Sequence, residues 1–440
     1  MSLEVEGKRK PLALKWRSNT IFILSTVGIG LFTDLFLYGL IVPILPFILE
    51  ERLNVAPEQI QGYTSLLLTA YAGASVLFSL PAGIIADKLA ARQLPFLLGL
   101  VSLLGASIML YLGRSIAVLI VARIFQGISA AVVWTIGLAL VLDTVGSEKL
   151  GVTIGSIFSF ISVGELAAPV LGGVVYQKAG YAGVFGMGFA ILALDFIMRL
   201  LVIEKKTAAK YGGAHAEADP HHEHISHDTE AGELDEESPL LGDAEGDLEK
   251  WKIRREQPRI MQKFPILYCL SNPRLLTAEM VAFTQATLLA VFDATIPTEA
   301  QELFSFDSLK AGLLFTPLVL PYLLLGPLAG KGVDKYGPKP AATLGMAYLV
   351  PMLILLRIPQ SGGTAEIAKF CVIVALCGVG LAFISSPSIV EASYVTEQYH
   401  KANQDFFGKE GPYAQLYAIN SMVTTFPLVM IPKALPLTEK

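Results

Sequence analysis

Apolar residues run in long stretches, broken by short polar segments, along nearly the whole chain from Thr20 onward. A helix crosses a hydrocarbon core with about 20 apolar residues. Hydropathy read at that length predicts spans near 20–49, 63–86, 94–112, 116–141, 152–176 and 182–203. A second set is predicted near 275–297, 310–330, 340–357, 367–391 and 412–432. Between the sets, residues 204–263 hold His221, His222, His224, Asp235, Glu236 and Glu237 among small and polar residues. Too few apolar groups remain there to offset the entropy of ordering, so a disordered linker is predicted. The division that follows is a tail over 1–19, a six-helix half over 20–203, the linker over 204–263, and a second half over 264–440 with five spans, giving 11 predicted spans of an all-α polytopic membrane protein.

Basic residues orient these helices. Lys205, Lys206 and Lys210 stand at one end of the linker, and Lys250, Lys252, Arg254, Arg255 and Arg259 at the other, which places both ends in the cytosol by the positive-inside rule. Lys88 and Arg92, with Lys331, Lys335 and Lys339, fall on the same side, whereas Glu50, Glu51 and Glu58 fall opposite. The amino end, carrying Lys8, Arg9, Lys10, Lys15 and Arg17, is then cytosolic too. That basic start superficially fits a secretory signal. The apolar stretch from Thr20 to Leu49 is too long for one, lacks a small-residue cleavage site at the usual distance and leads into further spans, so it is read as the first transmembrane helix.

Composition narrows the choices further. Apolar residues make up 53% and charged residues 16% of the chain, a balance that would leave large apolar patches on a water-soluble domain. Most of the acidic excess behind the net charge of -5 lies in the linker, so no nucleic-acid partner is implied. Cys269, Cys371 and Cys377 lack paired spacing and read as packing thiols. No phosphate-binding loop is present in the sequence, and neither a nucleotide nor a metal cofactor is implied.

An internal repeat links the two sets. Ala82-Gly83-Ile84-Ile85-Ala86-Asp87-Lys88 recurs as Ala329-Gly330-Lys331-Gly332-Val333-Asp334-Lys335, each copy closing the second helix of its set. Two homologous halves, related as parallel repeats around a midplane site, explain it most simply. Gly83 through Arg92 resembles the loop signature G-x-L-a-D-r-x-G-r-k of the major facilitator superfamily, and Gly330 through Lys339 is a second copy. Ala90 and Ala91 depart from the signature, where glycine and a basic residue are usual. The resemblance implies that Asp87 with Lys88 and Arg92, and Asp334 with Lys335, form charge relays that latch one conformation, while the glycines allow close helix approach.

Three further segments resemble the same superfamily. Leu119 through Ala131 is similar to its fourth-helix signature l-x-x-x-R-x-x-q-G-x-g-a-a, which places Arg123, Gln126 and Gly127 at the signature positions and implies a role for Arg123 in proton transfer. Read from the residues alone, Arg123 either finds a partner inside the protein or snorkels to the interface. Gly164 through Gly173 resembles the antiporter signature g-x-x-x-G-P-x-x-G-G, with Gly164, Pro169, Gly172 and Gly173 matching and Ala168 replacing one glycine. Those residues are expected to bend the helix and pack it closely on a neighbour. Asp34 through Pro43 resembles the first helix of vesicular amine transporters and fungal multidrug exporters within the drug:proton antiporter (12-spanner type) family, which makes Asp34 the leading substrate or proton residue. Val291 through Pro297 is similar to the acid-x-x-x-Pro segment of the same transporters. It ties Asp293 to coupling, with a plain interfacial acid as the alternative.

Glu165, Glu279 and Glu391 are further acids within predicted spans, Glu391 also reading as a cap at the cytosolic end of the tenth. Asp195 and Arg199 are spaced i, i+4 and read as a mutual pair. In the linker, the histidines from His215 to His227 suit either Zn²⁺ or Ni²⁺ or a solvated low-complexity stretch, the latter favoured by their irregular spacing. Glu236 through Leu241 fits an acidic dileucine signal for a sorting adaptor, which tilts localisation toward a vacuolar or vesicular membrane over the plasma membrane. The resemblance implies a monomeric, non-enzymatic, proton-coupled antiporter of small organic cations, amines or drugs. Two alternatives stand beside it: a uniporter or symporter of a neutral solute, and a truncated, non-transporting paralogue or sensor. The last arises because the twelfth helix usual in the family is missing after Asn420 and the prolines Pro427, Pro432 and Pro436.

Overall fold

The computed structural model describes residues 11–89, 92–209, 211, 250–253, 261, 264–306, 310, 313–408 and 411–434. Most of the predicted linker lies outside the described residues, including His215 to His227 and Glu236 to Leu241, as do Ala90 and Ala91. Among the described residues the secondary structure is helical, with no strand. Eight helices there are long and apolar enough to cross a membrane. The predicted spans at 310–330 and 412–432 fall on two further helices, which that criterion of length and apolarity does not select.

In the first half, α1 (Thr20–Ile41) starts at Asn19, whose side chain accepts from the Ile21 amide at 2.8 Å and satisfies one of the free amides of the first turn. Beyond Ile41 the chain stays helical but irregular through Arg52, because Pro43 and Pro46 bring no amide donor. Next come α2 (Pro57–Lys88), α3 (Gln93–Leu112) and α4 (Ile116–Val145), the last capped by Ser115 and closed by Gly146. The fifth and sixth predicted spans form one long helix, α5 (Leu150–Leu201), divided into two limbs at Gly180 (φ 64°, ψ -164°). That left-handed geometry suits glycine, which has no Cβ to clash. Helical backbone continues through Pro169, and the non-helical residue Gly180 stands between the fifth and sixth predicted spans.

The second half holds α6 (Pro273–Phe304), α7 (Thr316–Tyr336), α8 (Pro338–Leu355), α9 (Thr364–Ile384), α10 (Pro387–Ala402) and α11 (Tyr413–Ala434). Pro387 divides the predicted span 367–391 between α9 and α10, since its ring restricts the residue before it and removes a donor. Leu77, Leu98, Leu194, Leu328 and Leu344 are exposed on the outside of the bundle, as a lipid-facing surface requires.

Glycines decide where helices touch. A Cβ on Gly127 of α4 would collide with the Tyr71 carbonyl oxygen of α2, so α2 and α4 approach at their backbones there. Along the first limb of α5, a Cβ on Gly164 would stand 2.6 Å from Phe32, and one on Gly172 would stand 2.7 Å from the Leu40 carbonyl oxygen, both on α1. Gly173 faces open space and makes no such approach, unlike its neighbours in the same segment.

The halves meet along two seams, α2 with α11 and α7 with the first limb of α5. The repeated segments build both. Asp87 accepts from the Ala414 amide at 2.8 Å and the Gln415 amide at 3.0 Å, at the start of α11. Asp334 accepts from the Gly151 amide at 2.7 Å and the Val152 amide at 2.8 Å, at the start of α5. Each aspartate thus caps a helix of the opposite half, where free amides and the helix dipole favour a negative charge. One turn earlier, Gly83 lets α2 reach the Ala414 backbone, and Gly330 lets α7 reach the Gly151 backbone. Arg92 ties Asp87 into a relay, standing 3.7 Å from it and 2.7 Å from Asp143, which Lys206 also approaches at 3.4 Å. Lys88 is exposed, and Lys335 lies over its neighbour Tyr336 at 5.1 Å from the ring centre.

Two outcomes follow for purified protein in detergent. Gly127→Val should lower the unfolding temperature through an overpacking cost of about 1–3 kcal/mol, whereas Gly173→Ala should leave it near the native value. Asp87→Ala strips the start of α11 of its cap, a loss of about 0.5–2 kcal/mol. Spin labels placed across the α2–α11 seam should then report a larger share of molecules separated at that end.

Candidate functional site

Above the latched end, a cavity of about 210 Å³ lies between the halves. Leu35 of α1, Tyr71 of α2, Trp134 of α4 and Phe158 of α5 form its wall on one side; Gln285 of α6, Tyr322 of α7 and Asn420 of α11 form the other. Two carboxyls face it, Glu165 from the first half and Asp293 from the second, and both are solvent-accessible there. Among the described residues that line the cavity, none is Lys, Arg or His.

Asp34 does not line this cavity; it lies one side chain behind the wall and is 2% exposed. The Tyr71 hydroxyl donates to its Oδ2 at 3.3 Å, and the Trp134 indole donates to the same oxygen at 3.2 Å. Its Oδ1 has no partner among the described residues. Because Tyr71 and Trp134 also face the cavity, a molecule inside would touch the groups that hold Asp34. The sequence pointed to Asp34 as a substrate or proton residue; the structure places it behind Tyr71 and Trp134, with Glu165 and Asp293 at the cavity surface.

Arg123 is 0% exposed, which rules out the snorkelling alternative. Its Nη1 donates to Gln126 Oε1 at 3.0 Å, while Nε and Nη2 have no partner among the described residues. The guanidinium stands 6.0 Å from the Tyr38 ring centre, and Tyr38 packs on Tyr71 with centres 4.8 Å apart. An arginine, two rings and an aspartate therefore form one buried row from α4 through α1 and α2. Gln126 and Gly127 have separate tasks within it: one is the partner of Arg123, the other lets α2 close in. Buried donors without protein partners are where ordered water or a ligand group is needed.

Glu391 is placed elsewhere. It accepts from Arg274 Nε at 2.6 Å at the start of α6 and is not among the residues lining the cavity. Asp195 and Arg199 form the i, i+4 pair expected of them, both fully buried, with Arg199 also donating to the Phe96 carbonyl at 2.7 Å. Tyr71, Trp134 and Tyr322 were not singled out by the sequence. For Trp134 a signal existed: it lies three turns from Arg123 along α4, hence on the same face. No group of three or more His, Cys, Asp or Glu suited to a metal ion occurs among the described residues.

Comparison with known proteins gives this arrangement a family. A profile described as the Major Facilitator Superfamily matches residues 27–404. The chain is 47% identical over 424 residues to the MFS-type transporter ppzB of Metarhizium rileyi, covering 94% of this chain and 88% of that protein. It is 31% identical over 205 residues to a vesicular acetylcholine transporter of Drosophila melanogaster, covering 41% of this chain and 35% of that one. Among solved structures, the human organic anion transporter MFSD10 (TETRAN) matches with a TM-score of 0.62 over 95% of this chain and 94% of that chain at 16% identity, a likeness of fold. With a membrane-spanning bundle of two repeated halves, a cavity between them and a profile match over most of its length, the chain belongs to the Major Facilitator Superfamily and is a multi-pass membrane transporter of a small molecule.

Proposed function

We propose that the protein exchanges small organic cations, amines or drugs for protons by alternating access. The observation that carries this reading is the cavity with two carboxyls, aromatic walls and no basic side chain among its described lining residues. A cation entering there gains two opposite charges and the faces of Tyr71, Trp134 and Tyr322, whereas an anion meets only repulsion. Two carboxylates facing one aromatic-walled cavity are relieved by either a cation or a proton. Occupation by one disfavours the other, and that mutual exclusion is the physical basis of antiport.

Asp34 and Arg123 serve as coupling groups in this scheme, since Tyr71 and Trp134 touch both the cavity and Asp34. Glu391, bonded to Arg274, takes an interfacial role instead. The latched end is assigned to the cytosol because Arg92, Lys88, Lys335 and Lys339 gather there, together with the amino end and both ends of the linker joining the halves. The state described is then closed to the cytosol and open to the opposite face. Packing of Gly164 and Gly172 on α1 supports the antiporter reading of that segment, hence export or sequestration. The partial likeness to a vesicular acetylcholine transporter supports an organic cation as the class of substrate. A monomer in the plasma membrane or a vacuolar or vesicular membrane, sorted through an adaptor at Glu236 to Leu241, completes the proposal.

Uptake of a fluorescent organic cation into proteoliposomes with an imposed pH gradient tests it. Native protein should accumulate the cation in exchange for protons, and Glu165→Gln or Asp293→Asn should reduce the initial rate by about tenfold or more. Accumulation by native protein that ignores the gradient, or that survives both substitutions together, would sink the proposal.

A further inference from the structure

Helix α6 carries a second acid on the face that lines the cavity. Ala282, Ala286, Ala290 and Asp293 follow each other along that face at helical spacing, and three residues before Ala282 the same stripe reaches Glu279. From Glu279 to Asp293 is about 21 Å of helix axis at about 1.5 Å per residue, so the two acids bracket the cavity lengthwise. Asp293 is exposed at the open side, while Glu279 is 5% exposed below the floor, toward the latched end.

Glu279 is held by one weak bond. Asn420 Nδ2 donates to its Oε2 at 3.3 Å, and its Oε1 has no partner among the described residues. Charged groups on the helices packed against α6 are engaged with one another: Arg274 with Glu391, Lys369 of α9 with Glu366, and Lys401 of α10 with Glu397. Tyr399 of α10 and Tyr417 of α11 bond to Asn272 and Ser393. A carboxylate so placed, with half its bonding capacity unused and no counter-ion among the described residues, is expensive to keep charged, and taking up a proton relieves that cost.

Its one partner connects it to the moving part. Asn420 lines the cavity and belongs to α11, the helix capped by Asp87. The following residue, Ser421, meets Ser79 of α2 across the seam at 3.3 Å. Asn420 and Glu279 both belong to the second half, where α6 packs on α11, so when α2 and α11 part at the latched end the gap opens beside the Asn420–Glu279 pair.

From this placement we infer that Glu279, positioned by Asn420, is the latch-side proton site of the transport cycle, while Glu165 and Asp293 hold the cation. One O–H bond forms when the carboxylate takes a proton from the water of one face, and the same bond breaks when the proton passes to the water of the other. This assignment rests on the cation–proton antiport reading and adds to it the residue that unloads the proton.

Proteoliposomes assayed two ways with a fluorescent organic cation test it: counterflow exchange without a gradient, and accumulation driven by a pH gradient. Glu279→Gln should keep counterflow within about twofold and lose about tenfold or more of gradient-driven accumulation, while Glu279→Asp should retain accumulation with a displaced pH profile. Full accumulation by Glu279→Gln overturns the inference and leaves antiport standing. Loss of both activities in a Glu279→Gln chain that elutes as native protein overturns it too, by showing a structural role. If Glu279→Gln does not fold, a Glu279→Asp pH profile identical to native overturns it. A native chain with neither activity removes the antiport reading itself, and the inference with it.

Discussion

Each half of this protein is fastened to the other by a carboxylate that reaches over the seam to the first amides of a foreign helix. Asp87 does this for α11 and Asp334 for α5. Free amides at a helix start must find acceptors, and beside a hydrocarbon layer water is a poor supplier. The bonds require close backbones, which Gly83 and Gly330 provide one turn away. Because both copies of the repeat close the second helix of their half, both fastenings fall at the same end of the bundle. Closure at that end and a cavity toward the other are consequences of one repeated device.

The two seams are not equivalent. Between α5 and α7, Gly151, Gly155, Gly326 and Gly330 bring the backbones together over two turns, and Ser159 donates to the Tyr322 carbonyl at 3.3 Å. Between α2 and α11 one glycine, Gly83, brings the backbones together, and further along the seam the halves also meet through the hydroxyls of Ser79 and Ser421. Side-chain contacts of that kind part with less loss than interlocked backbones. The polar residues that matter to the site, Asn420 and Ser421 on α11 and Tyr71 and Ser75 on α2, line the cavity beside the looser seam.

The sequence made the helices readable because hydropathy at the length of a bilayer is a strong, local signal. The repeat made the two halves readable for the same reason. Contacts between distant segments were not readable. The aspartates of the repeat suggested a charge relay with neighbouring basic residues, and Arg92 does take part, but their main partners are backbone amides more than 180 residues away. Glu165 and Asp293 were each visible as an acid within a span, yet nothing in either segment tells that they face one cavity. Asp34 was equally visible, and only packing shows that Tyr71 and Trp134 stand in front of it. Gly173 shares its segment's pattern without sharing its packing, since the helix turns that position away from α1.

The proposed exchange depends on the cavity between the halves selecting positive charge. The most direct measurement of that selection is calorimetric binding to the detergent-solubilised chain of three ligands of one shape that carry a positive, zero or negative charge. The account predicts that the cation binds about tenfold or more tighter than its neutral counterpart and that the anion binds weakest. A neutral or anionic ligand that binds as tightly as the cation would contradict it.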